Sequence, residues 1–97
     1  MENKDLVNNI FNNIEEENLL QILENLVSKK VWYNDDVCLK INNSSVLVSG
    51  NNAEQDISFE DMLERISLMS NSFLLSYPDY GIRVDELMTD LENVCKE

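Results

Sequence analysis

The first 28 residues cannot form one straight helix that buries a single side. Leu6, Val7, Ile10, Phe11 and Ile14 share one helical face, and Leu19, Leu20, Ile22, Leu23, Leu26 and Val27 share another. At about 100° per residue, these faces point in nearly opposite directions. The chain has to turn between them. The phase predicts two helices, about Lys4–Asn12 and Glu16–Ser28, with a break near Asn13–Glu15. Asn13 is placed to cap the second helix. Glu15, Glu16 and Glu17 then fall in its first turn, where the macrodipole favours negative charge, and Lys29 and Lys30 sit at its C-terminal end. The alternative is one long helix with one face on the core and the other on a partner.

Strand signals follow. Val31, Trp32 and Tyr33 are strong strand formers. Val37, Leu39 and Ile41 alternate with Cys38, Lys40 and Asn42, and Val46-Leu47-Val48 comes after a turn at Asn43-Ser44. With Asn34-Asp35-Asp36 as the first turn, this reads as an antiparallel meander of three short strands. Trp32 is expected to cover the core face of the sheet rather than to stand exposed as a binding anchor. Ser49–Asn52 should end the sheet, and the stretch to Asp56 reads as polar loop, with Ile57 stapling onto the next helix.

Ser58 to Leu75 carries the longest amphipathic stripe and is expected to be the element around which the rest is organised. Phe59, Met62, Leu63, Ile66, Met69, Phe73 and Leu74 recur at steps of three and four. Ser58 and Asp61 form a weaker variant of the capping box. Glu60, Asp61 and Glu64 fall on the solvated side. In the turn at Ser76–Gly81, Pro78 suits a second turn position and Gly81 a residue with positive φ. Tyr77 and Tyr80 flank that turn, either pinning it to the core or contacting a partner. A last helix, about Val84–Cys95, has Val84, Leu87, Met88, Leu91, Val94 and Cys95 in one stripe and Asp85, Glu86, Asp90 and Glu92 off it. The predicted architecture is α+β, one small domain over 1–97: two N-terminal helices, a three-stranded antiparallel meander and two C-terminal helices.

Charge narrows the function. Nineteen acids face seven bases in 97 residues, a net charge of −12, while 43% of the chain is hydrophobic and can build a core. Asn is abundant at fourteen residues, as an AT-rich genome favours, yet Lys, which such a genome also enriches, is scarce. The deficit of positive charge therefore points to selection. It argues against direct binding to nucleic acid, whose phosphates require basic patches, and against anionic membranes. No run reaches the roughly 18 apolar residues that span a bilayer. The N-terminus lacks the basic-then-apolar order of a secretory signal, so a cytoplasmic location is expected. Cys38 and Cys95 are expected to be buried free thiols. The glycosylation patterns at Asn42 and Asn43 are expected to be chance matches.

Catalytic chemistry finds little to work with. The absence of His removes the commonest general base and every His-based triad. Neither Cys has an activating base nearby in sequence. With Gly50 and Gly81 the only glycines, no phosphate-cradling loop can be built. Metal-ligand spacings and the EF-hand pattern are absent. The expectation is a non-enzyme without cofactor or metal, whose surface is its chemistry. Acids three and four apart on a helix lie about 5–6 Å apart at Cβ and repel. A stable domain that keeps them has a use for them, because a rigid row of carboxylates can occupy a groove shaped for a phosphate backbone.

In length, acidity and lack of catalytic residues, the chain resembles phage- and plasmid-encoded inhibitors of CRISPR nucleases, restriction enzymes and DNA-repair glycosylases. That resemblance is one of composition, and it implies an anti-CRISPR or anti-restriction type of DNA or RNA mimic acting on a basic nucleic-acid enzyme. The expected contact residues are Glu60, Asp61, Glu64, Asp79, Tyr80, Asp85, Glu86 and Asp90. The alternative is an immunity, antitoxin or adaptor-type interaction module using an apolar helix face, placed on Leu19–Val27 if the first helix is continuous. Either a monomer or a homodimer is compatible with these patterns.

Overall fold

The computed structural model describes residues 4–50 and 53–96. Helix α1 (Lys4–Asn12) ends as the phase requires. The Asn13 N–H is shared between the carbonyls of Asn9 and Ile10, both at 3.2 Å, and Glu15 is extended at φ −76°, ψ 138°. A 3₁₀ turn over Glu16–Asn18 then leads into α2 (Leu19–Lys29). The continuous helix is thereby excluded. The second helix also starts later than expected, and Asn13 does not cap it. Asn18 occupies the cap position without a side-chain bond, and Glu16 and Glu17 lie in the 3₁₀ turn instead. Lys30 ends α2 in the left-handed region at φ 62°, its N–H donating to the Leu26 carbonyl at 3.1 Å.

The sheet has four antiparallel strands in the order β1-β2-β3-β4, not three. Strands β1 (Val31–Tyr33), β2 (Val37–Ile41) and β3 (Val46–Gly50) form where the strand-forming residues and the alternation of residues 37–42 predict them. The first turn is locked by Asn34, whose Oδ1 accepts from the N–H groups of Asp36 and Val37 at 2.8 Å each, the usual Asx-turn device. Strand β4 (Ala53–Ile57) occupies the stretch read as polar loop. Its backbone pairs with β3 from Gly50↔Ala53 to Val46↔Ile57, yet only Ile57 is buried. An edge strand needs little apolar surface, and the exposed Glu54 and Asp56 guard it against further pairing.

Inner-face residues Trp32, Val37, Leu39, Ile41, Val46, Val48 and Ile57 are buried, with Trp32 only 2% exposed as expected. Helix α1 packs on β3 and β4, and α2 on β1 and β2. A third layer, α3 (Phe59–Ser76) and α4 (Gly81–Lys96), packs on the far side of α2. The central element is therefore α2 rather than α3. Its Leu19, Ile22, Leu23 and Leu26 are fully buried, and Leu20 and Val27 are partly buried against the same core. The apolar side chains of Leu19–Val27 are packed into or against the core, and none of them is among the exposed large hydrophobics of the described residues. Ser58 caps α3, its Oγ accepting from the Asp61 N–H at 3.0 Å, while the Asp61 carboxylate accepts from Arg65 Nε at 2.8 Å. Pro78–Tyr80 forms a 3₁₀ turn, and α4 starts at Gly81, earlier than expected. Gly81 has helical φ −54°, not a positive angle. Both cysteines are free and only half-buried. No described helix is long and apolar enough to cross a membrane.

Candidate functional site

Helix α4 is built with two unlike sides. Val84, Leu87 and Leu91 recur at steps of three and four and are buried, fixing the helix against α2. The opposite side carries Ile82, Asp85, Glu86, Thr89 and Asp90, which line one shallow open depression. The core stripe thus holds the acids of α4 in a row facing solvent.

The corner before α4 is ordered by aromatic packing. Tyr77 N–H donates to the Phe73 carbonyl at 2.9 Å, closing α3, and Tyr80 N–H donates to the Tyr77 carbonyl at 3.2 Å. The ring centroids of Tyr77 and Tyr80 lie 4.9 and 5.9 Å from that of the buried Phe73. The tyrosines pin the turn to the core and still keep 39% and 45% of their surface exposed. Leu75 and Ile82, on either side of them, are 87% and 78% exposed. Asp79 projects from the same turn and is exposed.

The expected contact residues fall into two groups. Asp85, Glu86 and Asp90 line one depression on α4, and Asp79 and Tyr80 lie in the turn that precedes the helix. Glu60, Asp61 and Glu64 lie at the other end of α3, where a rise of about 1.5 Å per residue puts Glu60 roughly 24 Å along the axis from Ser76. Glu60 and Glu64 are exposed, whereas Asp61 is committed to structure: its carboxylate accepts from Arg65 Nε at 2.8 Å. Arg65 also donates to Asn8 Oδ1 at 2.8 Å and lies 5.3 Å above the Phe11 ring, tying α3 to α1. Nearby, Ser72 Oγ donates to Glu16 at 2.7 Å. No motif foretold this cluster, because its contacts between α3 and the N-terminal segment join residues up to 57 positions apart.

Few of the acids are neutralised. Among the described residues, ion pairs reach only Asp61, Glu24 and Glu86, the last two through Arg83 at 4.0 and 3.7 Å. Exposed pairs at such distances contribute little. Asp85 and Asp90 have no ion pair among the described residues. Leu75 and Ile82 were not expected at this site. Each stands off the apolar stripe of its helix, and that phase was the available signal.

Burial, then the neighbouring Glu92 carboxylate, pushes the Cys95 thiol above its ordinary value, which disfavours the thiolate. No group of three or more His, Cys, Asp or Glu among the described residues could hold a metal ion. The molecule is of the α+β class, an antiparallel meander backed by two layers of helices. Comparison with protein-family models, curated proteins and solved structures finds no match.

Proposed function

We propose that this chain is a non-catalytic acidic inhibitor that occupies the basic nucleic-acid-binding channel of a partner enzyme as a DNA or RNA mimic, of the phage-type anti-CRISPR or anti-restriction kind. The observation that carries this reading is the outer side of α4. Asp85, Glu86 and Asp90 are exposed on a helix anchored by Val84, Leu87 and Leu91, with Arg83 as the one cation paired to them among the described residues. A carboxylate row held by a packed core loses little conformational freedom on binding. The net charge of −12 supplies long-range attraction to a basic cleft, and the body of the domain then blocks it. The enzyme itself contributes the catalytic residues and the cationic groove; the inhibitor contributes shape and charge.

The test is retention of a basic nucleic-acid enzyme from cell lysate on the immobilised chain at low salt, followed by a salt gradient and competition with duplex DNA. Release at modest salt, displacement by DNA and loss of retention on D85K/E86K/D90K are expected. A partner held through high salt and indifferent to DNA would overturn the mimic reading in favour of the interaction module.

A further inference from the structure

Large exposed apolar side chains are not scattered evenly over this molecule. Among the described residues six are exposed, and four of them, Leu75, Tyr77, Tyr80 and Ile82, fall within one α3–α4 corner. Single exposed leucines are ordinary, whereas four large exposed apolar side chains within residues 75–82, two of them in ring contact at 6.4 Å, mark this corner as a contact surface. Acids of the proposed contact face accompany it: Ile82 shares its depression with Asp85, Glu86 and Asp90, and the exposed Asp79 lies between the tyrosines along the chain. Phosphate mimicry alone does not call for this apolar part, since a nucleic-acid backbone offers no aliphatic group to copy.

We infer that the α3–α4 corner is an apolar anchor framed by carboxylates, and that it docks a basic partner surface carrying an apolar recess beside its Lys and Arg residues. The inference rests on the acidic-face reading and adds a second half to it. Charge complementarity selects the partner: an uncharged apolar surface would leave Asp79, Asp85 and Asp90 desolvated and unpaired, whereas ammonium and guanidinium groups around the recess satisfy them. The two halves divide the labour. The acids speed encounter and make it salt-dependent, while Leu75 and Ile82 hold the complex once water is excluded, acting on dissociation. Tyr77 and Tyr80, already fixed on Phe73, add contact area with little further loss of freedom.

A defined probe pair tests this. The intact chain, isotopically labelled, is titrated with a synthetic amphipathic leucine–lysine helix and with poly-lysine, at about 0.15 M salt where the screening length is about 8 Å. The leucine–lysine helix should bind more tightly, with amide shifts concentrated on residues 75–90. L75S/I82S alters only exposed positions, so the fold is kept. It should weaken the leucine–lysine helix about tenfold, as expected for losing buried aliphatic side chains, and leave poly-lysine nearly unchanged. If poly-lysine maps to α4 but L75S/I82S leaves the leucine–lysine helix unaffected, the anchor is wrong and the acidic face stands. If D85K/E86K/D90K leaves both probes unaffected, the acidic face fails and the anchor with it.

Discussion

Lys30 is the residue with the least comfortable backbone in the described chain. It is the sole non-glycine among the described residues with positive φ, at 62°, and it ends the central helix before β1. An L-residue in the left-handed region costs roughly 1–2 kcal/mol, part of which glycine returns as unfolded-state entropy. Lys30→Gly should therefore stabilise the protein by about 0.5 kcal/mol, read as a higher urea midpoint at constant slope. Ser58→Ala works in the opposite direction. It removes the one side-chain cap seen on the helices described and should lower stability by about 1 kcal/mol. An unchanged midpoint for S58A would mean that α3 is held by its packing alone. Cys95 offers a pH test. Its folded thiol titrates above the unfolded value, so the native state favours the protonated form. The stabilisation is complete below the unfolded pKa of 9.0 and is lost as pH rises through the folded value. Alkylation of Cys95 near pH 8 should accordingly be slower in the native chain than in urea; equal rates would contradict the shift.

At the scale of elements, the two glycines make opposite predictions for one substitution. A Cβ at Gly50, in β3, would lie 3.0 Å from Ile10 Cγ1 and 3.3 Å from the Asp36 carbonyl oxygen, where α1 crosses the sheet. Gly50→Ala should push α1 outward and cost about 1–2 kcal/mol. Gly81 opens α4 with helical φ and has no neighbour within 4 Å of a built Cβ. There Gly81→Ala should add roughly 0.5–1 kcal/mol by restricting the unfolded chain. Thermal melts of the two variants distinguish a close approach from an open site, since the shifts should have opposite signs. Strand β4 shows what an edge position permits. Its sequence, Ala-Glu-Gln-Asp-Ile, lacks alternation, yet β3 supplies a pairing that its own side chains do not encode.

Across the whole molecule, charge of one sign outweighs every local electrostatic effect. Nineteen acids against seven bases, with ion pairs to only three acids among the described residues, leave the folded state repelling itself. Screening relieves this, because the Debye length falls from about 30 Å at 0.01 M to about 10 Å at 0.1 M salt. The melting temperature should rise over that range and then level off. A flat profile would show the charges to be already far apart or compensated. A basic surface, as the proposed function requires, would relieve the same repulsion.

Elements whose physics is local were legible along the chain. Opposed apolar phases in residues 6–27 required a break, Ser58 announced the start of α3, strand-forming side chains and the alternation in β2 marked β1 to β3, and net charge is independent of any fold. The remainder came from packing. Stacking of the layers made α2 the central helix, because which apolar face is enclosed on both sides depends on how the layers are arranged. Pairing with a neighbour's backbone turned residues 53–57 into a strand, and such pairing leaves no periodicity to read. The distance of Glu60 and Glu64 from the α3–α4 corner follows from helix rise along the chain. The depression that joins Ile82 to Asp85, Glu86 and Asp90 was decided by packing, because it depends on which side of α4 the core encloses.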